Sequence, residues 1–220
     1  MKKLLKIELH VHTLYSNDSW IAINNIIRVA KKMNLDKIAI TDHNTISGAL
    51  IAKNLYPDLI IIGEEIMTEG GEIIGYFLEK EIPSGLSPAA TISLLREQNA
   101  FIVIPHPFDH HRHGWDANDL KRILSFVDAL EVFNSRSIHS RYNVEALSFA
   151  TENNIPQVVG SDAHTVFEIG KSTLSIPEFN NSDDFRMVIN QAIPNVKKSP
   201  VWVHLFSSIA SIRHLIRQNR

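Results

Sequence analysis

Residues 6–13 read Lys6-Ile7-Glu8-Leu9-His10-Val11-His12-Thr13, an apolar run of strand length that ends in two imidazoles. His10 and His12 are two apart, so on a strand their side chains point to the same face. Two imidazoles on one face can share a metal ion. The same arrangement recurs along the chain. Further strands are predicted at Lys37–Thr41, Leu59–Gly63, Glu72–Leu78, Phe101–Ile104, Ala129–Phe133 and Gln157–Gly160, all rich in Ile and Val and too short for most helices.

Between these runs lie segments with helical spacing. In Ile21–Met33 the residues Ile23, Ile26, Ile27 and Ala30 share one face. Ser87–Gln98 opens with an N-cap serine followed by Pro88, a strong start signal. Asp119–Phe126, Asn143–Asn153 and Asp183–Ile193 read the same way, and Thr45–Asn54 follows Asp42. Strands alternating with helices predict parallel strands with crossover helices. About seven such units in one chain predict a β/α barrel and not an open doubly wound sheet. No G-x-G-x-x-G turn, Walker A loop or G-x-S-x-G elbow occurs, which removes support from nucleotide-binding α/β folds and from a serine nucleophile.

The polar residues gather at the strand ends. His10, His12 and Asp18 follow the first; Thr41-Asp42-His43-Asn44 end the second; Gly63-Glu64-Glu65 end the third. Pro105-His106-Pro107 close the fifth, Glu131 and Asn134 with Arg136 and His139 the sixth, and Ser161-Asp162-Ala163-His164 the seventh. In a parallel barrel these ends meet on one rim. Any one of them alone reads as a turn, a cap or a surface pair; their joint placement points to a metal cluster. His110, His111 and His113 lie in a polar, loop-like stretch and read as non-ligands.

Composition narrows the chemistry. The 220 residues suffice for one domain with a full core, and 44% hydrophobic with 21% charged residues is ordinary for a soluble globular protein. There is no Cys, so disulfides, thiolate zinc sites and cysteine nucleophiles are excluded, and a metal must sit on imidazole, carboxylate, carbonyl or water. Such ligands suit manganese, iron or zinc. The N-terminus lacks an uninterrupted apolar stretch and no run approaches the roughly 18 residues of a membrane span, so a cytoplasmic protein without a transmembrane segment is expected.

The net charge of −2 is unevenly spread: residues 1–196 carry 17 basic against 24 acidic residues, while residues 197–220 hold five basic residues and no acid. An acidic body argues against broad phosphate-backbone binding. Trp202, Leu205, Phe206, Ile209, Ile212 and Ile216 recur at helical spacing, with Arg213, Arg217 and Arg220 near the end. Residues 197–220 are therefore expected to form a basic amphipathic helix packed on a barrel of residues 1–196; a contact between copies of the chain or an interfacial membrane helix are the other readings.

The motifs E-L-H-V-H-T (8–13), T-D-H-N (41–44), the Glu after Gly63, P-H-P (105–107) and G-S-D-A-H (160–164) resemble, in order, those of the PHP (polymerase and histidinol phosphatase) family. The resemblance implies a distorted seven-stranded, TIM-like β/α barrel and a metal-dependent phosphoesterase. It implies a site of two or three divalent ions. His10, His12, Glu65 and Asp162 would hold the first, Glu65 would bridge to a second on His106 and His139, and Asp18, His43 and His164 would hold the third. Adjacent strand residues face opposite ways, and the motif register favours Glu65 over Glu64 as the bridge. Asp42 would orient His43 or cap the next helix.

The expected reaction is hydrolysis of a phosphate ester of a small metabolite or nucleotide by metal-activated hydroxide. Glu65, Asp162 and His164 would act at the centre, with Arg136, or alternatively Arg112, forking onto the phosphate. A nuclease or phosphodiesterase acting on nucleic acid, and a non-catalytic metal-binding barrel, are the competing readings.

Overall fold

The computed structural model describes residues 4–218, and the side chains of residues 4–210. Arg220 lies outside the described residues, as do the side chains of Ile212, Arg213, Ile216 and Arg217. Nine strands form one sheet: β1 (Leu4–Val11), β2 (Lys37–Ile40), β3 (Ile60–Met67), β4 (Glu72–Tyr76), β5 (Phe101–Ile104), β6 (Ala129–Asn134), β7 (Gln157–Gly160), β8 (Ser172–Pro177) and β9 (Ile193–Val196). The helices are α1 (Ile23–Lys32), α2 (Ser47–Leu55), α3 (Pro88–Glu97), α4 (Ala117–Ile123), α5 (Ser140–Glu152), α6 (Ser182–Val188) and α7 (Val203–Gln218).

Local signals match local structure. The face Ile23, Ile26, Ile27 and Ala30 of α1 is the buried one. Ser87 caps α3 by accepting from the Ala90 N–H, Asp116 caps α4, and Asn181 caps α6. Asp42 does not cap α2, whose N-cap is Ile46.

The sheet order is β7-β6-β5-β4-β3-β2-β1-β8-β9. The seven-stranded, all-parallel expectation is corrected in two respects. β4 runs antiparallel to both β3 and β5, because only the short turn after Met67 separates β3 from β4 and no crossover helix fits there. β8 pairs antiparallel with β1, and β9 antiparallel with β8. Those last two strands escape a search for apolar runs: β8 is Ser-rich, and β9 is exposed throughout and holds Pro194, which an edge strand tolerates.

The sheet nearly closes. Beyond β7 the chain continues alongside the end of β1: the His12 N–H donates to the Ala163 carbonyl at 2.9 Å, and the Ala163 N–H to the His10 carbonyl at 3.1 Å. This seam brings Asp162 and His164 beside His10 and His12. Asp162 (φ 55°) and His106 (φ 29°) both hold left-handed backbone conformations, a cost that recurs at functional sites.

Candidate metal centre

Four imidazoles from three strand ends converge on Glu65. Its Oε2 lies 3.3 Å from His10 Nε2, 3.3 Å from His12 Nε2 and 3.2 Å from His43 Nδ1, and its Oε1 lies 3.0 Å from His106 Nε2. Asp162 Oδ1 approaches the same imidazoles, at 3.3 Å from His12 Nε2 and 3.7 Å from His10 Nε2. The ligand atoms of His10, His12 and Glu65 lie within 4.8 Å of one another, as do those of His10, His106 and Asp162, of His12, His43 and His164, and of His43, Glu65 and Glu72. Asp18 Oδ2 reaches His164 Nε2 at 2.9 Å and His43 Nε2 at 3.6 Å.

The donor set fits divalent metal. His10 Nε2, His12 Nε2, Glu65 Oε2 and Asp162 Oδ1 are buried and have no hydrogen-bond partner among the described residues. Burying such atoms unpaired is costly, and a cation at their common focus removes the cost. The far sides of the imidazoles are engaged. His10 Nδ1 donates to Glu131 Oε1 at 3.0 Å, His12 Nδ1 to Ser16 Oγ at 3.1 Å, and His164 Nδ1 to the Asp162 carbonyl at 2.8 Å. Each bond selects the tautomer that leaves the Nε2 lone pair facing the cluster.

Electrostatics agree. Burial alone would raise the carboxyls of Glu65 and Asp162; His10 and His43 around Glu65, and Arg112 and His10 around Asp162, instead hold both well below the usual carboxylate range. Burial, with Arg136 adding to it, pushes His164 down to about 3, which keeps its imidazole neutral.

Glu65, His10, His12, His43, His106, Asp162, His164 and Asp18 are all brought together. Glu64 faces the other way and accepts from the Ile82 N–H at 2.9 Å. His139 is not brought in: it is exposed, at the N-terminus of α5, with its ring against His111 and Tyr142. Asp42 neither orients His43 directly nor caps a helix. It accepts from the Thr13 N–H and hydroxyl and from Ser16 Oγ, and Ser16 in turn accepts from the His43 N–H.

Three acidic residues had no place in the expected site. Glu72 lies 3.6 Å from His43 Nδ1 and 3.5 Å from His106 Nε2, and its carboxylate groups with the ligand atoms of His43 and Glu65. Because β4 runs antiparallel, its first residue and not its last lies on this rim. Glu131 accepts from His10, from the His106 N–H at 2.9 Å and from Asn134 Nδ2 at 2.9 Å. Its place among the polar residues of the sixth strand was a signal that pointed this way. Glu168 accepts from the His164 and Thr165 N–H groups; nothing in its local sequence marks it.

The cluster opens into a cleft of about 490 Å³ whose walls include Arg112, Arg136, His111, Glu72 and His204. Arg112 pairs with Asp162 and donates to Asn134 Oδ1. Arg136 is buried; its Nε faces Glu168 at 3.5 Å and its Nη2 donates to Ser207 Oγ at 2.7 Å. Among the described residues, Arg112 is thus the arginine next to the cluster, and Arg136 is anchored by α7.

The structure is thus a nearly closed α/β barrel whose rim carries imidazoles and carboxylates able to hold divalent metal. Family models match at residues 8–98, described as the PHP domain, and at 140–192, described as PHP-associated. The chain belongs to the PHP family of metal-dependent phosphoesterases. An uncharacterized protein of Methanocaldococcus jannaschii is 35% identical over 180 residues, 80% of this chain and 72% of that protein.

Two solved structures share the fold. A two-domain protein of Bacteroides vulgatus, described as containing a predicted PHP-like metal-dependent phosphoesterase, superposes with a TM-score of 0.71 at 17% identity, over 89% of this chain and 66% of that one. The lesion-specific endonuclease of Pyrococcus furiosus gives 0.64 at 14% identity, over 86% and 56%. No helix among the described residues is long and apolar enough to cross a membrane.

Proposed function

We propose that the protein is a phosphomonoesterase acting on a small metabolite or nucleotide. The observation that carries this reading is the focus of orphaned, buried donor atoms from His10, His12, Glu65 and Asp162, next to a cleft lined by their neighbours Asp18, His43, Glu72 and His164 and by two arginines. In this reading His10, His12, Glu65 and Asp162 hold one ion. Glu65, His106 and Glu72 hold a second, Glu72 taking the part expected of His139. Asp18, His43 and His164 hold a third. Bound divalent ions supply charge to neutralise the phosphate and to acidify a water.

The chain's own residues do the rest. Asp162 stays ionised in a buried site because the Arg112 guanidinium beside it outweighs burial. Glu131 and Ser16 hold the tautomers of His10 and His12. Arg112, beside Asp162, presents forked donors to the phosphate oxygens, and Arg136 adds its charge to the same cleft. Walls of Met67 and Ile138 limit the water around the ester.

The test is a panel of phosphoesters offered to protein whose native metals have been measured. Phosphate release by the wild type that falls about 10²-fold or more in His10→Ala is expected when an essential ligand is lost. Absence of release from every ester, or equal release by the variant, would falsify the reading. A second reading, a phosphodiesterase on nucleic acid, draws on the fold shared with the endonuclease and on a groove of about 520 Å³ lined by Arg28, Lys32, Lys171 and Lys197. It predicts cleavage of single-stranded oligonucleotides at rates that fall steeply with salt.

A further inference from the structure

A smaller cavity of about 160 Å³ adjoins the metal cleft, and Asp18 and His164 line both spaces. Its outer walls are Trp20, Ile21, Phe167 and Phe206. An apolar cavity of about 150 Å³ holds one benzene ring, so the space matches a single six-membered ring. Trp20, Phe167 and Phe206 are 47%, 63% and 42% exposed, a cluster of large apolar side chains left at solvent around a concave surface. Trp202 braces two of these walls, with its ring 5.6 Å from that of Phe167 and 5.8 Å from that of Phe206.

Phe206 belongs to α7, outside the motifs that define the metal cluster. The helix is tied to the cleft through Arg136, whose Nη2 donates to Ser207 Oγ at 2.7 Å and lies 3.5 Å from His204 Nδ1. One helix therefore both closes the apolar cavity and positions a cleft arginine. An aliphatic alcohol would leave the flat aromatic walls poorly filled, whereas a planar ring can meet them face-to-face in offset or edge-on contact.

We propose that this cavity binds the planar aromatic ring of the substrate while the phosphate lies in the cleft. The substrate is then a phosphate ester whose alcohol carries a ring of pyrimidine size, and α7 is the element that selects it. The proposal rests on the phosphoesterase reading above.

The test compares uridine 5′-monophosphate with ribose 5-phosphate, which presents the same ester without the base, on the full-length, metal-loaded protein. Wild type is expected to favour the nucleotide in kcat/KM by about tenfold or more, the range of one base stacked on aromatic side chains. Phe206→Ala and Phe167→Ala should each cut that preference by roughly tenfold while metal content stays at the wild-type level. Equal use of both esters by wild type, or a preference that survives both substitutions, would overturn the proposal. Calorimetric titration with the same two compounds separates the two readings. Ring-dependent binding that is lost in Phe206→Ala, without turnover of any ester, keeps the cavity's role and removes the phosphoesterase reading. Absence of ring-dependent binding removes the cavity's role.

Discussion

Glu131→Gln changes one atom of a buried side chain and should weaken metal binding through a residue that ligates nothing. Oε2 of Glu131 accepts from two fixed donors, the His106 N–H and Asn134 Nδ2, both at 2.9 Å. A glutamine must keep its carbonyl oxygen there, so its amide NH₂ faces His10 Nδ1, 3.0 Å away in the native pair. The imidazole then has to accept at Nδ1 and carry its proton at Nε2, the atom that faces Glu65 and Asp162. A protonated Nε2 cannot ligate. Loss of a histidine's outer hydrogen-bond partner costs about 10- to 100-fold in metal affinity, or roughly 1.4–2.7 kcal/mol. The assay is competition with a chelator of known affinity, followed as free metal against protein concentration. Affinity equal to wild type in Glu131→Gln, together with loss in His10→Ala, would refute the tautomer argument.

Three further outcomes are expected. Glu72→Gln should lower the number of metal ions per chain, measured by mass spectrometry of the dialysed protein, while His139→Ala leaves it unchanged; the reverse pattern would restore the loop histidine as ligand. Gly160→Ala should mimic Glu131→Gln. A Cβ there would collide with the Glu131 carboxylate and meet the His10 Cβ at 2.6 Å, and overpacking of this kind costs about 1–3 kcal/mol in a denaturant titration. Burial raises Glu64 to about 8. The folded state therefore holds a proton that the unfolded chain releases above its ordinary value of 4.5. Stability should fall as pH rises from that value towards 8, by at most about 1.4 kcal/mol per pH unit, and level off beyond. Glu64→Gln should flatten that slope in melts across the range; an unchanged slope would remove Glu64 as its cause.

Much of the site was legible because its signals are local. His10 and His12 share a face by strand geometry, whichever strand lies beside them. The buried face of α1 and the cap at Ser87 are likewise set by residues a few positions apart. The absence of Cys limits any metal to nitrogen and oxygen donors, whatever the fold. These features need only the covalent chain and its periodicity.

The rest depends on strand direction and on contacts between residues far apart in the chain, which periodicity does not carry. Glu72 is on the rim only because β4 runs antiparallel. Arg112 reaches Asp162, and Arg136 reaches Ser207, across 50 and 71 positions respectively. The Val11–Ala163 seam puts Asp162 and His164 next to His10 and His12. The sequence by itself therefore determined the chemistry of the donors and the faces they occupy. Tertiary structure decided which donors meet, because that follows from pairing energies summed over the whole sheet.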